Sequence, residues 1–171
     1  MNEALQYPIG RFQAPSEFSD DVIAEAISTI AKFPAALQET LAFLPEGALD
    51  KPYRPDGWTG RQVVNHLADS HMHCLARFKW TLTENSPTIK PYLQDAWVEL
   101  PDSLHFPIGA SLQMLQGIHA RLAHLMASLT PAQRMLTYYH PESQKDFSLA
   151  YATTLYAWHS KHHLGHLLLL A

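Results

Sequence analysis

The stretch GWTGRQVVNHLADSHM at residues 57–72 predicts a long helix with a sharply defined start. Thr59 and Gln62 have the spacing of a capping box, in which each side chain accepts a hydrogen bond from an otherwise free backbone N–H. Trp58 precedes the cap and is placed to pack against Val63 one turn into the helix. The apolar positions that follow recur every three or four residues, which is the period of a helix buried on one face.

Three further segments have the same period. Ser19 stands before Asp20 and Asp21 as an N-cap with favourable first-turn charges, and Pro34 should kink this helix or begin a new one. Ser148 is a second candidate N-cap, from which a helix should run to the end of the chain. The four predicted helices span residues 19–44, 60–84, 109–128 and 148–171.

The connections between these helices differ in length. Residues 1–18 contain Pro and Gly and predict an extended arm, and residues 136–145 predict an irregular connection. Residues 85–107 contain four prolines and predict a long connection across the bundle, of a length that is usually functional. The whole pattern predicts an all-α four-helix bundle with a long crossover loop, forming one domain over residues 1–171.

Composition excludes several classes of function. A formal net charge of −4, with 12 scattered Lys and Arg residues, argues against a nucleic-acid surface. No apolar run approaches the length of a membrane span, and the start of the chain lacks the pattern of a signal peptide. The single cysteine, Cys74, excludes an intrachain disulfide and is typical of a small core residue. The cytoplasm is the expected location.

Eleven histidines are many for a chain with so few charges, and their spacing matters more than their number. His159 and His163 are four residues apart in the last helix, so their imidazoles can converge on one metal ion. His162 and His166 form a rival pair with the same spacing. The apolar stripe of the helix favours the first pair without excluding the second, and histidines on a solvated face are the commoner alternative.

A third ligand should come from the second helix, where His66 lies two turns past the capping box. Asp69 and Ser70 follow at positions from which they can orient its imidazole. His73 is a reserve ligand on nearly the same face, whereas His71 is expected to point to another side. Three imidazoles leave a coordination position open for water or substrate, and they suit Zn, Ni, Cu or Fe better than Mg or Ca.

Four segments of the chain together resemble a known family. They are YPIGRF at residues 7–12, GWTGRQVVNHLADSHM at 57–72, SPTIKPY at 86–92 and YAWHSKHHLGH at 156–166. Because all four segments occur, and in this order, the chain resembles the DinB/YfiT-like superfamily and, within it, the YfiT-type metal-dependent hydrolases. The resemblance implies a four-helix bundle, one metal ion per chain and a cytoplasmic homodimer.

The family's metal ligands are one histidine on the second helix and two on the last, at positions i and i+4. Carried over, they fall on His66, His159 and His163, which selects this pair over its rival. The chain departs from the family in having Asn65 before His66, where relatives often have a second histidine. It also stops at Ala171 inside the last predicted helix, where relatives usually add a short tail, so the sequence does not define the end of this helix.

The resemblance implies a metal-dependent hydrolase acting on a small molecule, with Zn or Ni as the expected ion. A first alternative is a metal-dependent S-transferase that conjugates a low-molecular-weight thiol to an electrophile, as other superfamily members do. A second alternative is a non-catalytic metal-binding protein. Asp69, Tyr156 and His162 are candidates for proton transfer, and the sequence assigns none of them a role.

Overall fold

The computed structural model describes residues 3–171, in which four long helices are joined by short helices and one hairpin. The long helices are α2 (Asp20–Phe43), α3 (Gly60–Thr83), α6 (Gly109–Ala127) and α8 (Leu149–Leu168). The short elements are α1 (Glu3–Gln6), α4 (Gln94–Trp97), α5 (Pro101–His105), α7 (Pro131–Arg134), β1 (Thr137–His140) and β2 (Lys145–Ser148), with a 3₁₀ turn at Ala48–Asp50.

The long helices form a bundle with a crossed order. Helix α2 packs mainly against α6 and α8, and α3 packs against the same two helices. The consecutive helices α2 and α3 therefore occupy diagonal corners, and so do α6 and α8. This order requires long connections, and it places one face of α3 directly against α8, where the histidines lie. No helix within residues 3–171 is both long and apolar enough to cross a bilayer.

Side-chain caps define where the long helices α2, α3 and α8 begin, as predicted. Ser19 and Ser148 accept hydrogen bonds from the backbone N–H groups of Val22 and Tyr151. The Thr59–Gln62 capping box has both of its hydrogen bonds. Helix α2 continues through Pro34 as a single element, so this proline does not start a new helix.

Replacing Thr59 by alanine should lower the free energy of unfolding by about 1 kcal/mol, because the Gln62 N–H loses its cap. Thr83→Ala at the other end of α3 is the matched control, since that hydroxyl donates only to carbonyls within its own helix. Urea denaturation of both variants measures the difference. Equal stability would show that the cap does not stabilise α3.

The expected irregular connection at residues 136–145 is wrong. Residues 137–140 and 145–148 form an antiparallel hairpin, with Tyr138 opposite Phe147. The strand TYYH consists of aromatic and β-branched residues, which favour a pleated, half-buried surface. The arm at residues 1–18 also differs from the prediction, since Glu3–Gln6 form one helical turn.

The long connection over residues 85–107 is partly ordered by the hairpin. Tyr139 donates its N–H to the Pro87 carbonyl at 2.9 Å, and Ile89 donates to the Tyr139 carbonyl at 3.0 Å. The connection then forms α4 and α5. This pairing fixes the segment that leads to Tyr92, which reaches the histidine cluster.

Candidate metal centre

The structure brings together His66 of α3 with His159 and His163 of α8. One ring nitrogen from each lies within 4.8 Å of the other two. The Nε2 atoms of His66 and His159 are 3.3 Å apart. His66 and His163 are buried, and His159 is partly exposed.

This spacing fits a tetrahedral ion. Zinc–nitrogen bonds of about 2.0–2.1 Å place two ligand nitrogens roughly 3.3–3.4 Å apart at the tetrahedral angle. The 3.3 Å between the Nε2 atoms of His66 and His159 matches that edge. The same distance accommodates an N–H···N hydrogen bond, which is the arrangement expected without an ion.

A chain of buried histidines fixes the tautomer of His159. His119 Nδ1 lies 2.7 Å from the Ile30 carbonyl oxygen, which only accepts, so the hydrogen is on Nδ1. In the neutral ring the other nitrogen, Nε2, accepts from His71 Nδ1 at 2.7 Å. His71 Nε2 is then an acceptor for His159 Nδ1–H at 3.1 Å. His159 thus presents the bare lone pair of Nε2 towards His66.

A second chain acts on His163 in the same way. His166 Nε2 donates to the Gln6 carbonyl oxygen at 3.0 Å. In the neutral ring His166 Nδ1 is therefore an acceptor, and His163 Nδ1 lies 3.2 Å from it. His163 carries its hydrogen on Nδ1 and leaves Nε2 free to bind a metal ion.

These two series of hydrogen bonds distinguish between the two groups of histidines that have metal-binding spacing. The rival group is His162, His163 and His166. Both ring nitrogens of His166 are used in hydrogen bonds, one to Gln6 and one to His163. The hydrogen-bond pattern therefore favours the group formed by His66, His159 and His163.

The partner of His66 is Tyr92, whose hydroxyl lies 3.3 Å from His66 Nδ1. Burial raises the pKa of Tyr92 to about 12, so the hydroxyl stays protonated. It can donate to Nδ1 when His66 carries its hydrogen on Nε2, and it can accept from Nδ1–H when Nε2 would bind an ion. Tyr92 belongs to the long connection, 26 residues from His66. Ser70, predicted with Asp69 to orient this imidazole, forms a side-chain hydrogen bond with Tyr92.

Burial keeps the cluster neutral, which is the form that binds metal. Desolvation lowers the pKa of His66 and of His119 to about 4. It also lowers the pKa of His71, His159 and His163 well below the usual value of 6.5, and the neighbouring imidazoles add repulsion. All five rings are uncharged at neutral pH.

A cavity of about 380 Å³ opens onto the three histidines. Trp58 forms one wall, its ring centroid 4.8 Å from that of His66. The N-terminal arm covers another side through Gln6 and Tyr7. A methyl group at Gly165 would lie 2.8 Å from a Pro8 side-chain carbon, so the glycine allows the arm to pack this closely on α8.

The three proton-transfer candidates have different positions. His162 lines the cavity, and burial lowers its pKa to about 4. The Tyr156 hydroxyl donates to the Ser70 carbonyl and accepts from Arg77, so it is engaged in the core. Asp69 is not among the residues that line the cavity, although burial, with repulsion from Asp102, raises its pKa to about 6.

Three histidines differ from what the sequence predicts: His71, His73 and His119. His71, expected to point to another side, bonds to His159, and the reserve ligand His73 instead stacks on Tyr92 with ring centroids 4.5 Å apart. His119 was missed although it lies in the buried stripe of α6, four residues after Leu115. A histidine within a buried apolar stripe needs a hydrogen-bond partner, so the position of His119 in α6 itself predicts a buried polar contact.

Comparison with known proteins places the chain in a family. Residues 29–167 match the family model described as the DinB superfamily. A relative from Bacillus mycoides is 45% identical over 163 residues, which cover 95% of this chain and 93% of the relative. YfiT of Bacillus subtilis is 42% identical over 95% of this chain and 92% of its own length. The names of both assign them provisionally to the metal-dependent hydrolases.

The solved structure of YfiT from Bacillus subtilis superposes with a TM-score of 0.94 at 41% identity, covering 98% of this chain and 95% of that one. Its description records an unusual four-helix bundle topology. The predicted resemblance and the predicted four-helix bundle are confirmed, and the chain belongs to the DinB superfamily.

Proposed function

We propose that the chain is a metal-dependent hydrolase that binds one divalent ion, zinc or nickel, through Nε2 of His66, His159 and His163. One observation carries the proposal. Hydrogen bonds leave an Nε2 lone pair free on His159 and on His163, within a neutral cluster that opens onto a cavity. Closely similar relatives carry names of metal-dependent hydrolases, which supports the same activity.

The remaining residues position substrate and protons. When bound, the ion supplies Lewis acidity that polarises a substrate or acidifies a water molecule. Trp58 and Tyr7 line the cavity and provide aromatic surface for a substrate. His162 lines the cavity and belongs to neither orienting chain of hydrogen bonds, so its position makes it the candidate proton acceptor. A small molecule is the proposed substrate, and a homodimer and a cytoplasmic location stay predictions.

A metal-dependent S-transferase is the second candidate. The carboxylate that lines the cavity is Asp95, which is exposed and not held against the histidines. A thiol bound to the ion would lose its proton without help from a protein base, whereas hydrolysis would be assisted by a base such as His162. If the protein keeps its activity without the His162 imidazole, this arrangement favours thiol transfer over hydrolysis.

Activity screens distinguish these candidates. We expect zinc- or nickel-loaded protein to act on an ester and amide panel, and His163→Ala to lower kcat/KM by more than about 100-fold because the ion is lost. His124→Ala, at an exposed position of α6, is the matched control and should keep full activity. A thiol-conjugation panel runs in parallel.

The outcomes separate cleanly. Thiol conjugation without hydrolysis would replace the hydrolase assignment by the S-transferase. Silence of the metal-loaded protein in both panels would support a non-catalytic role. Equal activity of the His163 and His124 variants would remove the metal centre from the reaction.

A further inference from the structure

A second cavity of about 380 Å³ lies beside the metal cavity. Arg77 of α3 forms its inner wall, and Glu142, from the turn of the hairpin, lies on its outer side. Gln94 and Asp95 line both cavities, so the two spaces adjoin at α4. Tyr92 connects them, since its ring lines the second cavity and its hydroxyl reaches His66.

Arg77 is a buried cation without an anionic partner. Its residue is 9% exposed, and the ion pairs of residues 3–171 all involve other arginines. Its Nη1 donates to the Tyr156 hydroxyl at 3.2 Å, and its Nε is buried with no hydrogen-bond acceptor. A buried charge without a counter-ion is costly, and such groups are usually paired or coordinate a ligand.

The acidic residues of this cavity do not neutralise Arg77. Asp95 and Glu142 are exposed residues, and neither forms an ion pair with the guanidinium. The positive charge also acts on its neighbours, since it contributes to lowering the pKa of His73 and of His140, after burial. The inner wall is therefore positive, and only the outer rim carries carboxylates.

We propose that Arg77 binds a carboxylate group of the small-molecule substrate, whose reacting end reaches the three histidines past Gln94 and Asp95. The planar guanidinium suits a planar carboxylate better than a lysine ammonium would. This proposal rests on the proposed function only for the reacting end, because the carboxylate site itself needs no metal ion.

The test uses the full-length protein and two small probes, propionate and its neutral isostere propionamide. NMR titrations are run on metal-free protein and again with one equivalent of zinc. We expect saturable propionate binding, about tenfold or more tighter than propionamide, and equal with and without zinc. Arg77→Met should weaken propionate binding at least about tenfold, and Glu142→Gln should strengthen it two- to threefold, roughly, by removing rim repulsion.

Several results would overturn the proposal. One is an Arg77→Met variant that binds propionate as tightly as the wild type does. The others are a wild-type protein that binds propionamide as tightly as propionate, or that binds inorganic phosphate more tightly than propionate. If Arg77→Met does not fold, Arg77→Lys serves instead, because it keeps the charge but loses the planar fork and should weaken binding. Zinc binding by wild type and by His163→Ala is titrated separately, so failure of the carboxylate site and failure of the metal centre are distinguishable.

Discussion

Replacing His119 by alanine is expected to weaken metal binding 10- to 100-fold, roughly, although His119 is not a proposed ligand. The ring is fully buried and bridges the Ile30 carbonyl to His71. Without it His71 loses the acceptor that fixes its tautomer, and His159 is no longer held with Nε2 bare. The variant should also lose roughly 3 kcal/mol of unfolding free energy, through a cavity and an unsatisfied buried N–H.

His119→Phe separates the two effects. Phenylalanine fills most of the cavity and can still pack on Phe33, whose ring is 5.0 Å from that of His119. It should recover part of the stability but not the metal affinity, since it accepts no hydrogen bond from His71. Competition with a chromophoric chelator measures affinity and urea denaturation measures stability, with exposed His124→Ala as control. Wild-type affinity in both His119 variants would show that this chain does not orient His159.

Acidification is expected to destabilise the metal-free protein strongly. A histidine whose pKa falls from 6.5 in the unfolded chain to about 4 in the fold binds its proton preferentially when unfolded. Its contribution to stability is therefore present above pH 6.5 and is lost as the pH falls towards 4. At pH 4.5 the lowered pKa values of His66 and His119 should each reduce the free energy of unfolding by roughly 2–3 kcal/mol relative to pH 7.5.

His71, His159 and His163 act in the same direction, since their pKa values are also lowered. Asp69 acts in the opposite direction, because burial raises its pKa to about 6, but it is one group against several. Urea denaturation in the presence of a chelator at pH 7.5, 6 and 4.5 measures the trend. A free energy of unfolding that stays constant from pH 7.5 to 4.5 would contradict the neutral cluster.

The bundle was predictable because its signals are local. The caps at Ser19, Thr59 and Ser148 and the apolar stripes that follow them fix the start and inward face of three helices without knowledge of the partner helix. The spacing of His159 and His163 is local in the same sense. The choice of this pair, with His66 as the third ligand 93 residues before His159, required the family resemblance. Spacing alone did not exclude the rival pair, His162 and His166.

The orienting residues were not predictable in this way. His71 and His119 lie on different helices, and Tyr92 belongs to a connection whose path depends on pairing with β1. None of these contacts leaves a fixed spacing in the sequence, because each depends on how distant elements pack. The hairpin was missed for a related reason, since its strands are only four residues long and β1 also pairs with the distant residues Pro87 and Ile89.

The most direct test of the account is elemental analysis of the untagged protein after loading with zinc and gel filtration. We predict about one ion per chain in the wild type and in the control His124→Ala, and a small fraction of that in His66→Ala and in His163→Ala. His166→Ala should bind zinc more weakly yet retain the site, because His166 orients His163 and is not itself a ligand. Near-stoichiometric zinc in both His66→Ala and His163→Ala would contradict the three-histidine centre.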